Sequence, residues 1–261
     1  MKRIFITFVF TTLFLIEPSF AKFLKIISLS PATTEVIFYI NAENHLIANT
    51  IYCTVPEKAK KIEKIGGIIN PNIEKIISLK PDIVIGSKLT PKQVVSILKK
   101  FNIPVKIYRI ETIQDIEKAI ISIGDITEKN GDKYAAKFRK KYLNEIEKLK
   151  PCLKGKRTLI IFSDNPIYTA GNSTFLGEII KDAGGINIAG SGKYKTVSAE
   201  YVIAQKPDFI IYTAMEKHPN KNIIFKDFGI KTVYVNSTYL LKPGPYIIEG
   251  IRELRETVCG K

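Results

Sequence analysis

Two carboxylates stand out by their spacing. Glu74 opens "EKIISLKPDIVI" and Glu200 opens "EYVIAQKPDFII"; six of the twelve positions agree, and each Glu precedes an aspartate, Asp82 or Asp208, by eight residues. In each copy a proline, Pro81 or Pro207, ends a helix of about two turns and a strand follows at once. A helix that runs back along its strand places its N-terminus, and the glutamate, at the strand's C-terminal end. The helix dipole favours an anion there, and open α/β sheets carry their ligand crevice at that edge. The chemistry on offer is recognition by two matched carboxylates flanking one cleft, related by pseudo-twofold symmetry. The plainer alternative is a pair of first-turn charges that only stabilise their helices.

Signals for bond-making chemistry are weak. The chain has no GxSxG, HExxH or P-loop sequence. "GSGKYK", around Gly190 and Gly192, lacks a third glycine and reads as a loop. His45 falls just before a strand, at the edge opposite the cleft; His218 follows a strand and could approach the cleft edge. Many carboxylates are present, but no pair is singled out as acid and base, so an exported enzyme is the weaker reading and no catalytic residue, resident cofactor or metal ligand is expected. Cys53, Cys152 and Cys259 show no CxxC spacing. An exported compartment permits one disulfide and leaves one thiol over.

The elements that must position the glutamates alternate. "FLKIISL" reads as a strand and "SPATTEVIFYI" as a helix, with Ser30 as N-cap and Pro31 at the first helical position. "LIANT" and "DIVIG" are short strands; "TPKQVVSILKKF" is another capped helix before the strand "IPVKIY". From Gly131 to Lys150 the chain turns charged and helical, with Ala135, Phe138, Tyr142, Ile146 and Leu149 on one stripe. The alternation then resumes: strand "RTLIIF", loop "SDNPIYTAGN", helix "STFLGEIIKDA" with a stop at Gly184 and Gly185, strands "DFIIYT" and "KTVYVN", and a last helix from about Pro245. The fold class is α/β: two doubly wound, Rossmann-like lobes joined by one long helix, with the ligand cleft between them. The expected boundaries are a signal peptide over 1–21, an N-terminal lobe over 22–127, the connecting helix over 128–151 and a C-terminal lobe over 152–261. A disulfide within a lobe favours Cys152–Cys259, because any bridge from Cys53 would cross the cleft or the strut.

The first residues read as a targeting segment. Lys2 and Arg3 precede the uncharged run Ile4–Ile16, and small residues at Ser19 and Ala21 mark cleavage near Ala21. The run is too short to span a bilayer, and no cysteine follows the cleavage point, which argues against a lipoprotein anchor. The expectation is an exported, periplasmic chain with no membrane span after signal removal. The net charge of +15 does not indicate nucleic acid: only six of the 40 basic residues are arginine, and the lysines are spread along the chain.

Together, "KIISLSPATTEVIFYI", "YCTVPEKAKKIEKIGG", "NPNIEKIISLKPDIVIG", "IYTAGNSTFLGEIIKDAGGIN" and "VSAEYVIAQKPDFIIYT" resemble the cobalamin-binding periplasmic proteins of ABC importers. These belong to a helical-backbone class of substrate-binding proteins that also bind siderophores and haem. The resemblance implies a monomer that captures cobalamin as a transported ligand and delivers it to a permease dimer with its ATPase subunits. It implies that Glu74 and Glu200 dock into arginine pockets, one on each permease subunit. It also implies an aromatic cleft, and here the chain departs, because it has no Trp. By position, Tyr52, Tyr168 and Tyr194 fall where aromatic contacts are expected, Ile68 and Ser87 replace others, and Pro31 and Ala32 bring backbone close to the ligand. Haem or a ferric siderophore is the alternative ligand. Haem would want an axial ligand such as Tyr52, Tyr168 or His218; an anionic siderophore would favour Lys88 or Lys193.

Overall fold

The computed structural model describes residues 24–213, Phe225 and residues 228–260. The signal-peptide reading and His218 lie outside the described residues. Among the described residues no helix is long and apolar enough to cross a membrane.

The first sheet is entirely parallel. Its strands are β1 (Ile26–Ser28), β2 (Leu46–Asn49), β3 (Glu63–Lys64), β4 (Ile83–Ser87) and β5 (Val105–Tyr108), in the order β3-β2-β1-β4-β5. That order reverses direction between β1 and β4, so a crevice opens there at its C-terminal edge. The helices are α1 (Pro31–Tyr39), α2 (Ile73–Ser78), α3 (Lys92–Lys100) and α4 (Ile113–Ile126). Ser30 caps α1 by position, with Pro31 in its first turn, although its hydroxyl makes no cap bond. α3 begins after Pro91 and also lacks a side-chain cap; a fixed proline φ starts it instead. α4 carries a full capping box, Thr112 with Asp115.

The long helix α5 (Gly131–Leu153) follows, capped by Asn130. At 23 residues it extends roughly 34 Å. Ala135, Phe138, Tyr142, Ile146 and Leu149 are all buried, so the apolar stripe faces the core. The helix passes Pro151, where the sequence suggests a stop, and ends two residues beyond the expected boundary. Its last turn is held from outside: Leu153 is buried, and Cys152 is bonded to Cys259 at the end of α8 (Ile247–Cys259).

The second sheet contains β6 (Arg157–Asp164), β7 (Ile167–Ala170), β8 (Ile186–Asn187), β9 (Tyr194–Val197), β10 (Phe209–Tyr212) and β11 (Lys231–Tyr234). Its order is β11-β10-β6-β7-β9, with β8 paired to the start of β6. The strands β6, β10 and β11 are parallel, whereas β7 and β9 run antiparallel. The segment "SDNPIYTAGN", expected to be a loop, is thus largely a hairpin. Asp164, Asn165 and Pro166 make the turn, and Ile167 and Thr169 point inward on the returning strand. The second half of "GSGKYK" likewise opens β9 rather than remaining loop. Both misreadings have one cause: a Pro or Gly signal marks a turn but does not say how soon the strand resumes. α6 (Phe175–Asp182) and α7 (Ala199–Ala204) complete the lobe. α6 stops as expected: Gly184 takes φ 76°, and Gly184 and Gly185 donate back to Lys181 and Ile180.

Candidate functional site

Both glutamates sit where the repeat places them. Asn72 accepts from Lys75 N at 2.9 Å and Ser198 from Tyr201 N at 3.1 Å, capping α2 and α7 in the same way. Asn72 N donates to Ile65 O, just beyond the C-terminal end of β3. Ser198 follows Val197, which pairs with Ile167, itself paired with Asp164 at the end of β6. Both helix starts are therefore at the C-terminal edge of their sheet. Glu74 and Glu200 are both exposed. The Glu200 carboxyl is held below its ordinary range by its own backbone N–H and then by the Ser198 hydroxyl.

The same edge carries large apolar groups. In the first lobe, Ile51 and Tyr52 follow β2, Ile69 follows β3 and Leu89 follows β4, and all are more than half exposed. Pro31, Ile68 and Ser87 lie on this edge and are half-buried, whereas Ala32 packs into the core. In the second lobe β7 and β9 align Tyr168 and Tyr194, whose rings stack 6.1 Å apart at 22°. Phe162 on β6 closes the group, 5.9 Å from Tyr168 and 5.8 Å from Tyr194. Tyr168 and Tyr194 each remain 41% exposed. Burial, then the neighbouring Tyr168 and Glu111, raises the Tyr194 hydroxyl pKa. Tyr212 and Tyr234, 5.7 Å apart, end β10 and β11 on the same side.

Two sets of contacts turn these edges toward each other. Lys193, just before β9, donates to Glu111 at 2.7 Å; Glu111 follows β5 and also takes Arg109 at 2.7 Å and Lys88 at 3.2 Å. Lys193 is the foremost cause that pulls the Glu111 carboxyl down to about 2. Phe175 N donates to Glu111 O at 2.8 Å and Ile113 N to Glu178 at 2.7 Å, fixing the N-terminus of α6 to the same strip. At the other side Lys242 Nζ reaches Thr54 Oγ1 at 3.2 Å. There the buried Glu35 of α1 lies against Gly244, where any β-carbon would collide with its carboxyl. Burial raises the Glu35 pKa to about 8, against the pull of Lys242 and the Tyr246 backbone N–H. The first contacts join the β5 and β9 sides of the two sheets, and the second joins the β2 and β11 sides. The exposed aromatic and apolar groups belong to the edges that these contacts join.

The structure brings Tyr168 and Tyr194 together and puts Tyr52 on the opposing lobe. Phe162 and Glu111 were missed from sequence. Phe162 was hidden because "RTLIIF" reads as a uniform buried strand; the Asn-Pro turn three residues later was the available signal. Glu111 has no sequence signature, since two of its three partners, Lys88 and Lys193, are distant in sequence. Among the described residues no three His, Cys, Asp or Glu side chains gather to hold a metal ion.

Two α/β lobes on a helical strut, with exposed apolar groups on their facing edges, have the architecture of the helical-backbone periplasmic binding proteins. The chain belongs to the periplasmic binding protein family, which it matches over residues 26–234. It is 28% identical over 250 residues to the uncharacterized ABC transporter substrate-binding lipoprotein YvrC of Bacillus subtilis, covering 90% of this chain and 79% of that one. Among solved structures, the periplasmic vitamin B12 binding protein BtuF of Vibrio cholerae superposes with a TM-score of 0.74 at 23% identity, covering 88% of this chain and 94% of that one. The periplasmic haem binding protein HutB of Vibrio cholerae gives the same TM-score of 0.74 at 22% identity, covering 89% and 97%. The fold is thus shared by binders of either ligand and does not discriminate between them.

Proposed function

We propose that the protein captures a corrinoid of the cobalamin type in this cleft and delivers it to the permease dimer of an ABC importer, with Glu74 and Glu200 as the docking charges. The observation that carries the ligand reading is the aromatic cluster in which Tyr168 stacks on Tyr194 and Phe162 packs tilted against both, on one lobe, with the exposed Tyr52 and Ile51 on the other. Flat rings with polar tips suit a broad, mostly uncharged macrocycle. Lys88 and Lys193, the groups an anionic siderophore would favour, both pair with Glu111, which disfavours that ligand.

Absorbance spectra of the purified protein mixed separately with cyanocobalamin, haem and a ferric siderophore test the reading. Calorimetry with cyanocobalamin should give one site tighter than about 1 μM. Clear haem binding with no heat from cyanocobalamin overturns the corrinoid reading and leaves the class intact.

A further inference from the structure

Tyr52 sits on an unusual connection. The chain between β2 and β3, residues 50–62, contains no α-helix, only the 3-10 turn Glu57–Lys61. Such a connection needs another means of holding an exposed aromatic still. We propose that Lys64 is the positioning residue of this connection, its ammonium group gathering the loop so that Tyr52 is preset for the ligand.

Lys64 Nζ lies 2.6 Å from Asn49 Oδ1 and 2.9 Å from the Ala59 carbonyl, and 3.5 Å from the carbonyls of Thr50 and Cys53. The four acceptors run from Asn49, the last residue of β2, to Ala59 in the 3-10 turn. Three ammonium protons are enough for two short bonds and one shared bond. Thr50 and Cys53 bracket Tyr52, and tight turns link them: Cys53 N donates to Thr50 O at 3.1 Å and Thr54 N to Tyr52 O at 3.0 Å. The cation, anchored by its short bonds to Asn49 and Ala59, thus faces the two carbonyls on either side of the tyrosine at the outer limit of hydrogen-bond reach. A second tie fixes the same turn to α1, because Thr34 Oγ1 donates to Cys53 Sγ at 3.2 Å.

None of these four partners of Lys64 is a carboxylate. Taking a cation out of water with only neutral oxygens around it is costly. Burial accordingly draws the Lys64 amine below its ordinary pKa, with Cys53 pulling the other way. A neutral side chain could fill the space, so the charge has a use that filling does not explain: it is the one donor that reaches all four carbonyl-type oxygens at once.

The inference rests on Tyr52 touching the ligand, as proposed above, and its test separates the two. Wild type, Lys64→Met, Tyr52→Ala and the double variant are titrated with cyanocobalamin, or with haem if the wild type takes haem. Lys64→Met should weaken binding roughly tenfold, and the double variant should bind no more weakly than Tyr52→Ala, because the two residues act in series. Losses that multiply in the double variant, or a Lys64→Met that binds like wild type, overturn the positioning role. A Tyr52→Ala that binds like wild type overturns the Tyr52 contact and the positioning role with it. Lys64→Arg, which keeps charge and donors, should retain most of the affinity and covers the case in which Lys64→Met does not fold. Hydrogen exchange in the free protein gives a ligand-independent arm: amides 50–54 should exchange faster in Lys64→Met while those of β1 stay as in wild type. Unchanged exchange in the loop also overturns it.

Discussion

The block around Glu74 and the block around Glu200 are built alike down to backbone conformation. Lys80 and Lys206 take the left-handed φ of 48° and 46°, and the prolines that follow are buried. Asp82 accepts from the backbone N–H of Lys25 at 2.9 Å and Asp208 from that of Arg157 at 2.7 Å. Each aspartate's own N–H returns a bond to the same residue's carbonyl, at 2.9 Å and 2.8 Å. Beyond this corner the lobes part company. β1 leads straight into α1, whereas β6 turns back through the hairpin that carries Tyr168. The repeat is therefore a corner of the frame as well as a pair of charges: Lys-Pro-Asp locks the helix to the first strand of each sheet. The C-terminal edge of each sheet is free to differ between lobes because that corner is complete without it.

The largest difference between the lobes is covalent. Cys152 and Cys259 bridge 107 residues of the second lobe, while Cys53 in the first is free and buried. Replacing both bridged cysteines by Ser should cost about 2–5 kcal/mol by releasing that loop in the unfolded chain. Denaturant melts of wild type and variant check this, and coincident midpoints would show that the second lobe stands without its staple.

The corner itself gives the next test. Asp82→Ala and Asp208→Ala each remove the carboxylate from an exposed N–H at the start of the first strand, which water can then solvate, at about 0.5–1.5 kcal/mol. Near-equal losses support one device used twice. A loss confined to Asp82 or to Asp208 breaks the equivalence on which the repeat argument stands.

Much of this frame is legible in sequence because its signals are local. The repeat located both corners, the apolar stripe from Ala135 to Leu149 located the strut, and Gly184 located the end of α6. The lobe boundary also favoured the Cys152–Cys259 bond that is present. What stayed hidden depends on pairing between distant segments. The β6–β7 hairpin was hidden because Asn-Pro does not announce a returning strand. Glu111 was hidden because Lys193 meets it only after both lobes have folded, and Lys88 only after the first lobe has. Lys64 was one lysine among many until its four oxygen partners were in place.

A pH-dependent effect follows from Glu35, the buried carboxyl of the first lobe at the Lys242 contact. Its folded pKa is raised to about 8, so the native state keeps a proton that the unfolded chain gives up above the ordinary carboxyl range. The unfolded state then binds fewer protons, and stability falls as pH rises from about 5 to 8. Glu111, pulled down to about 2, acts oppositely and only in strong acid. The melting temperature should be higher at pH 5 than at pH 8, and Glu35→Gln, which mimics the protonated form, should flatten that profile. A profile unchanged by Glu35→Gln would assign the slope to other groups.

The smallest effect on stability belongs to the residues that first drew attention. Glu74 and Glu200 are exposed on the first turns of α2 and α7, and their helices keep the Asn72 and Ser198 caps without them. Replacing either with Ala should leave the denaturant midpoint of unfolding essentially unchanged. Ligand affinity should also hold, because the apolar groups, not these charges, form the facing surfaces. Transport in a reconstituted importer is where the two copies should count: each unpaired permease arginine left buried costs roughly 2–5 kcal/mol of docking. The double change to Lys sets like charges against each other and should abolish docking while cyanocobalamin titrations remain as in wild type. If binding and transport fall together, the glutamates serve the fold or the ligand. If neither moves, the matched acids are helix charges alone, and only the Lys-Pro-Asp corner explains why the chain repeats itself.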